Sequence, residues 1–166
     1  MKSTTRLHPT KNPLPLASRE KLVDLLNSRL ATAIDLQLQS KQAHWNVKGP
    51  SFIALHELFD QVATMATGNV DDLAERIVQL GGSAHGTLQS VSAGTKLRPY
   101  PEAISNGSDH VEALGHALAA FGTQIREGIE LADEYGDPAT ADQLTAMAEA
   151  VEKQLWFVEA HQQAKS

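Results

Sequence analysis

Leu22, Leu26, Leu30, Ile34 and Leu38 recur at every fourth position, the spacing of one buried helical face. This predicts a helix from Ser18, a suitable N-cap, to about Trp45 or Val47, where Gly49-Pro50 stops it. A second helix starts near Ser51, carries Phe52, Leu55, Phe59, Val62, Leu73 and Ile77 on its core side, and ends at Gly81-Gly82. Gly68 lies inside it and is expected to weaken or bend it, at up to ~1 kcal/mol relative to alanine. A third helix begins at Ser108 with Asp109 and Glu112 in its first turn. Its stripe is Val111, Leu114, Leu118, Phe121, Ile125, Ile129 and Ala132, and Gly136 ends it. Asp137-Pro138 then reads as an N-cap with proline at the first helical position. The fourth helix runs to about Ala164, with Leu144, Met147, Val151, Leu155 and Val158 apolar.

Two segments fall outside this pattern. Residues 1–17 hold Pro9, Pro13 and Pro15 without apolar periodicity, and predict a flexible, partly extended arm ahead of a bundle domain over 18–166. Residues 83–107 hold Gly86, Gly94, Pro99, Pro101 and Gly107, and read as a long crossover with room for a short helix. Four long helices with one long crossover make an all-α four-helix bundle.

Composition narrows the chemistry. At 166 residues one domain is expected, and 42% apolar with 5% aromatic suits helices packed on helices. There is no cysteine, which excludes disulfides, thiolate zinc sites and iron–sulfur clusters. A metal would have to be held by His, Asp or Glu, a donor set that suits iron, manganese or zinc. No apolar run approaches the ~18–20 residues of a membrane span, and the N-terminus has no signal-peptide core, so a soluble cytoplasmic protein without membrane partners is expected. The net charge is −6, yet Lys2, Arg6, Lys11 and Arg19 all precede the first acid, Glu20. The arm is therefore basic and the body acidic, a body that attracts cations and repels nucleic acid.

The candidate metal ligands are His44, His56, Asp60, Asp71 and Glu75. On a helix turning ~100° per residue, His56, Asp60, Asp71 and Glu75 fall at about 0°, 40°, 60° and 100°, one polar stripe beside the apolar one. His44 ends the preceding helix, and the Gly49-Pro50 turn can bring it back towards His56. Asp60 and Asp71, however, are roughly 16 Å apart along a helix, whereas ligands of one ion each lie ~2.0–2.2 Å from it. Either the two halves of the stripe are unrelated, or two chains meet antiparallel and a two-fold axis makes two identical sites. No Glu-x-x-His occurs anywhere, which argues against an intrachain di-iron centre of the common bundle type.

The stretch Lys41-Gln42-Ala43-His44-Trp45-Asn46-Val47-Lys48-Gly49 resembles the signature of the Dps family, the DNA-binding proteins from starved cells. So do Phe52, Leu55-His56-Glu57, Phe59-Asp60, the run from Asp71 to Ile77, and Leu80-Gly81-Gly82. Tyr100-Pro101, Thr140-Ala141-Asp142 and Leu155-Trp156-Phe157 extend the likeness to roughly residues 20–162. One departure is Ala66-Thr67-Gly68-Asn69, where many relatives carry a more charged or apolar run.

The resemblance implies a ferritin-like subunit with a short helix in the crossover, twelve of which form a hollow dodecamer. It implies ferroxidase centres at dimer interfaces, with up to two iron positions each. His44, His56 and Asp60 fall on the ligand positions of one subunit and Asp71 and Glu75 on those of the other, with Trp45 beside the site. Zinc is an expected competitor. The implied reaction is oxidation of Fe(II), with hydrogen peroxide the favoured oxidant, followed by storage of a ferric mineral and protection of the cell and its DNA.

Two further roles depend on the likeness. Some family members condense DNA through basic tails, and here Lys2, Arg6 and Lys11 would either make sequence-independent contacts at the nucleoid, multiplied by avidity, or belong to an arm that is solvated or stabilises the assembly. Acids near the turn into the fourth helix line an iron-entry pore in the family, which points to Asp142 and secondarily to Asp137. Asp137 also has the simpler reading of a helix cap, and Asp133 that of a solvated residue. His85, His110, His116 and His161 read as surface or capping histidines.

Overall fold

The computed structural model describes residues 7–163. Its helices are α1 (Leu16–Asn46), α2 (Phe52–Gln79), α3 (Leu88–Gly94), α4 (Gly107–Glu134) and α5 (Pro138–Gln163). The hairpin pairs α1 with α2 and α4 with α5; α1 then lies on α4 and α2 on α5, and α3 packs on α1. Most of the stripes read from the sequence meet in one core, in which Leu22, Leu26, Leu30, Phe59, Leu73, Ile77, Leu114, Leu118, Phe121 and Ile125 are essentially inaccessible to solvent. Leu38 and Phe52, expected on it, are exposed, Leu38 because a spacing of four residues drifts about 40° per step off the core face. Each such side chain contributes about 1.5–3 kcal/mol by leaving water.

The helix starts differ from expectation in instructive ways. α1 begins at Leu16, after Pro15, so Ser18 lies inside the first turn and caps nothing. Proline's fixed φ prepares the chain for a helix, and that supplies the start here. α4 begins at Gly107 because the Asn106 side chain accepts from the Asp109 N–H at 3.0 Å, one residue before the expected Ser108 start.

The arm, expected to be free through residue 17, is attached to the body from Leu7 onward. The His8 N–H donates to the Gly81 carbonyl at 2.7 Å. Gly81 holds φ +89°, and a Cβ there would stand 2.8 Å from the His8 carbonyl oxygen. Arg19 donates to the carbonyls of Leu14 and Leu80 at 3.2 and 3.1 Å, and Leu7 and Leu14 pack against the core. Lys11 is exposed on this attached stretch, while Lys2 and Arg6 lie outside the described residues.

The crossover is held by polar contacts to α1 and to the turn that follows it. Thr95 donates to Asp35 at 2.6 Å, Gln39 to the Arg98 carbonyl at 3.0 Å, and the Lys48 N–H to the Ser105 carbonyl at 2.8 Å. α3 approaches α1 closely because position 94 is glycine; a Cβ there would meet the Ala31 Cβ at 2.9 Å.

His110 corrects the expectation of a surface histidine: it is 1% exposed. Its ring faces the core one turn before Leu114, and its Nδ1 is paired with the Tyr100 hydroxyl at 2.6 Å. Nε2 is buried without a hydrogen-bond partner. Burial lowers the His110 pKa and raises that of Tyr100. His85, His116 and His161 are exposed, as expected.

Candidate metal site at the α1–α2 turn

α1 ends at Asn46, Gly49 turns the chain at φ +116°, and α2 starts at Phe52. This short connection folds His44 onto His56. Their rings stack with centroids 3.7 Å apart and planes 19° from parallel. The hydrogen bonds are reciprocal: His44 Nδ1 donates to the His56 carbonyl at 2.7 Å, and His56 Nδ1 donates to the His44 carbonyl at 2.8 Å. A carbonyl only accepts, so both rings carry their proton on Nδ1. In the neutral imidazole Nε2 then keeps a bare lone pair, the state that ligates a metal. The bond to His44 also satisfies one of the carbonyls left over at the end of α1.

Asp60 lies one turn beyond His56, and its side chain is 47% exposed. It is ion-paired with Lys41, which lies about one turn before His44 on α1. The hydrogen bond from Lys41 holds the Asp60 carboxyl below the usual carboxylate range, aided by the Lys41 charge and the two imidazoles against a smaller desolvation effect. The open groove over these residues is completed by Ile53, Glu57, Gln61, Thr64, Met65 and Gln154.

Asp71 and Glu75 are exposed further along α2. The helix continues through Gly68, and the rise between Asp60 and Asp71 separates the two halves by roughly 16 Å. Ala66, Asn69 and Leu73 are buried on the inner face, while a Cβ at Gly68 would meet nothing within 4 Å. Among the described residues no three His, Asp or Glu side chains of one chain gather to hold an ion. Apolar side chains flank both halves in the open: Trp45 is 68% exposed, Ile53 62% and Val78 60%.

Asp137 lies elsewhere and is differently used. It is 3% exposed, and its carboxylate accepts from Arg76 Nη2 at 2.7 Å and from the Thr140 hydroxyl. Burial pushes its pKa up, but the bonds from Thr140 and Arg76 outweigh this and bring it below the ordinary value. It also accepts from the Thr140 backbone N–H, which makes it the cap of α5. A carboxylate so engaged inside one chain is not presented to a passing ion, so the structure speaks against a pore role for Asp137. Asp142 and Asp133 are exposed. No local sequence pattern assigns Arg76 a role; in the structure it is the part-buried partner of Asp137 and, through Nε, a donor to Thr140 Oγ1 at 2.9 Å.

Comparison with known proteins agrees with the helical fold. The Ferritin-like domain family matches residues 23–165. The chain is 49% identical over 161 residues to the DNA protection during starvation protein of Agrobacterium fabrum strain C58, covering 97% of this chain and 99% of that protein. The chain belongs to the Dps family. Among solved structures it is similar to Mycobacterium smegmatis Dps in its tetragonal form (TM-score 0.90, 33% identity, 95% of this chain and 96% of that one). DpsA14 from Streptomyces coelicolor is comparable (TM-score 0.89, 34% identity, 95% and 93%). As in those Dps bundles, the chain is all-helical among the described residues apart from an isolated Lys48–Asn106 bridge. None of its described helices is long and apolar enough to cross a membrane.

Proposed function

We propose that this Dps protein oxidises Fe(II) at centres shared between two subunits and stores the ferric product inside a hollow dodecamer. His44, His56 and Asp60 of one subunit and Asp71 and Glu75 of a second form each centre. The observation that carries this reading is the reciprocal histidine clamp. It leaves both Nε2 atoms without a proton one turn before Asp60, and the rise of α2 from Asp60 to Asp71, roughly 16 Å, keeps Asp71 and Glu75 of the same chain out of reach.

The residues suit the chemistry. Imidazole and carboxylate bind Fe(II), and anionic oxygens favour the Fe(III) that forms. Two Fe(II) each give one electron to a peroxide; its O–O bond breaks, and both oxygens end as water or hydroxide. Pairwise transfer consumes peroxide without releasing hydroxyl radical. Molecular oxygen is the alternative oxidant, and Zn(II) suits the same donor set and competes for it. Asp142, exposed near the start of α5, is the candidate for an iron-entry pore.

DNA is protected on this reading by chemistry rather than by coating. From Leu7 the arm is hydrogen-bonded to the body, and Lys11 is the one permanent cation of residues 7–15. The whole chain carries −6, which opposes a polyanion. Sequence-independent compaction through Lys2, Arg6 and Lys11 would instead show as a gel shift at moderate salt that disappears when residues 1–12 are deleted.

The direct test adds Fe(II) to the purified assembly without oxygen, then peroxide, following ferric absorbance and solubility. Rapid formation of a soluble ferric core, strongly slowed in an assembled His56→Ala/Asp60→Ala variant, supports the centre. Equal rates in both would make the stripe structural.

A further inference from the structure

Lys41 is the one cation seated in the half-site, and nothing in the reading above uses it. It stands on the same face of α1 as His44, about one turn earlier, while Asp60 stands about one turn after His56 on α2. The two helices are thus joined by two rungs at this end, the stacked imidazoles and the Lys41–Asp60 ion pair. The second rung is open to water: the Lys41 side chain is 36% exposed and that of Asp60 47%. Its stem is four methylenes long and its ammonium is readily hydrated, so the lysine can swing out at little cost.

We propose that Lys41 is a built-in stand-in for the metal: its ammonium neutralises Asp60 while the centre is empty and must leave Asp60 for an ion to bind there. This rests on the two-subunit centre. In that arrangement Asp60 of one chain faces Asp71 and Glu75 of another, three carboxylates around one vacant place. Without a cation their repulsion opposes closure of the interface. Lys41 supplies the missing charge before iron arrives. A divalent ion, with twice the charge and a coordination shell to share, displaces it; a monovalent ion gains nothing over the ammonium already present.

Two consequences of opposite sign follow, and this separates the proposal from a merely structural role. Removing the charge should tighten metal binding at the Asp60 position and weaken the metal-free assembly. The size expected is about tenfold in affinity, what one charge at ~4–6 Å does to a protonation equilibrium. A residue needed only to hold α1 on α2 would, on removal, weaken both.

The test uses full-length Lys41→Met and Lys41→Gln, with Lys41→Arg to keep the charge. Co(II) is the probe, since it does not turn over. Its affinity is read from the visible absorption of the bound ion, and assembly from light scattering on dilution without metal. The expected result is about tenfold tighter Co(II) binding in the Met and Gln variants. Their assemblies should come apart at higher protein concentration than the wild type and be restored by Co(II). Lys41→Arg should bind Co(II) no better than wild type. Co(II) binding that needs His56 and Asp60 but is unchanged or weaker in Lys41→Met would overturn the role of Lys41 alone. Wild-type protein that takes up no Co(II) dependent on His56 and Asp60 would overturn the shared centre, and this role with it.

Discussion

Asp60 and Asp137 are each ion-paired to one cation of the same chain, and they do opposite things. Asp137 is buried, with Arg76 and Thr140 closing on it from two helices. Asp60 is half in water, with a single lysine on a flexible stem. The Arg76 guanidinium is planar, carries five donors and is held by bonds to Thr140 and Gln79 as well. Lys41 offers a point charge that water can replace. Burial and the stiffness of the partner, more than the kind of bond, separate a carboxylate that locks helices from one that can exchange its cation.

Breaking the Arg76–Asp137 pair should have the largest effect on stability. Arg76→Met leaves a buried carboxylate without its cation, which typically costs about 3–5 kcal/mol. Denaturant unfolding should show a loss of that size with no special effect on metal binding per assembled particle. The same pair sets an acid limit. Because Asp137 has a depressed folded-state pKa, its contribution is complete above the ordinary carboxylate value of 3.8 and is lost as pH falls below it. The Asp137→Asn variant should be less stable at neutral pH and should lose less on acidification, as read from unfolding curves at several pH values.

Asp60→Asn tests the other side of the comparison. The pair it breaks is exposed, so stability should change little. Fe(II) oxidation should nonetheless fall by about a hundredfold or more, given that even residues behind a metal ligand cost about 10–100-fold. A large stability loss with normal oxidation would reverse the assignment of the two aspartates.

Smaller effects sharpen the picture around them. Tyr100→Phe removes the hydroxyl from His110 Nδ1, leaving a second unpaired nitrogen in the core beside Nε2. Thermal unfolding should report a loss of about 1–3 kcal/mol. Burial keeps the His110 pKa low, so its contribution is complete above the ordinary value of 6.5 and declines as pH drops below it. Gly68→Ala is the smallest change. Within one chain a Cβ there meets nothing within 4 Å, so the fold of the subunit should gain about 0.5–1 kcal/mol.

Much of this was legible because it depends on period and spacing. The apolar stripes fixed the four long helices and most of their core, since burial of one face is what orders them. The separation of Asp60 from Asp71 told against a single-chain site because rise per residue is nearly constant. What stayed hidden depends on contacts between distant segments. Arg76 and Asp137 lie 61 positions apart, and no local pattern pairs them. The attachment of residues 7–14 turns on Gly81 and Arg19, again remote in sequence. His110 was recoverable: it sits four residues before Leu114 and seven or eight before Ala117 and Leu118, on the core stripe of α4. Lys41 was read as part of a motif, but its ion pair with Asp60 appears only once α1 and α2 are packed.

The claim that each centre is shared between two chains is tested most directly by mixing defects. One chain carries His56→Ala/Asp60→Ala and the other Asp71→Ala/Glu75→Ala; each is assembled alone and then the two are co-assembled, with particle size checked. In a mixed dimer one centre collects both defects and the other collects none. Each variant alone should therefore oxidise Fe(II) slowly, and the co-assembly should regain a substantial part of the wild-type rate. If co-assembled particles form but remain as slow as their parents, the two halves do not meet across an interface, and the shared centre is contradicted.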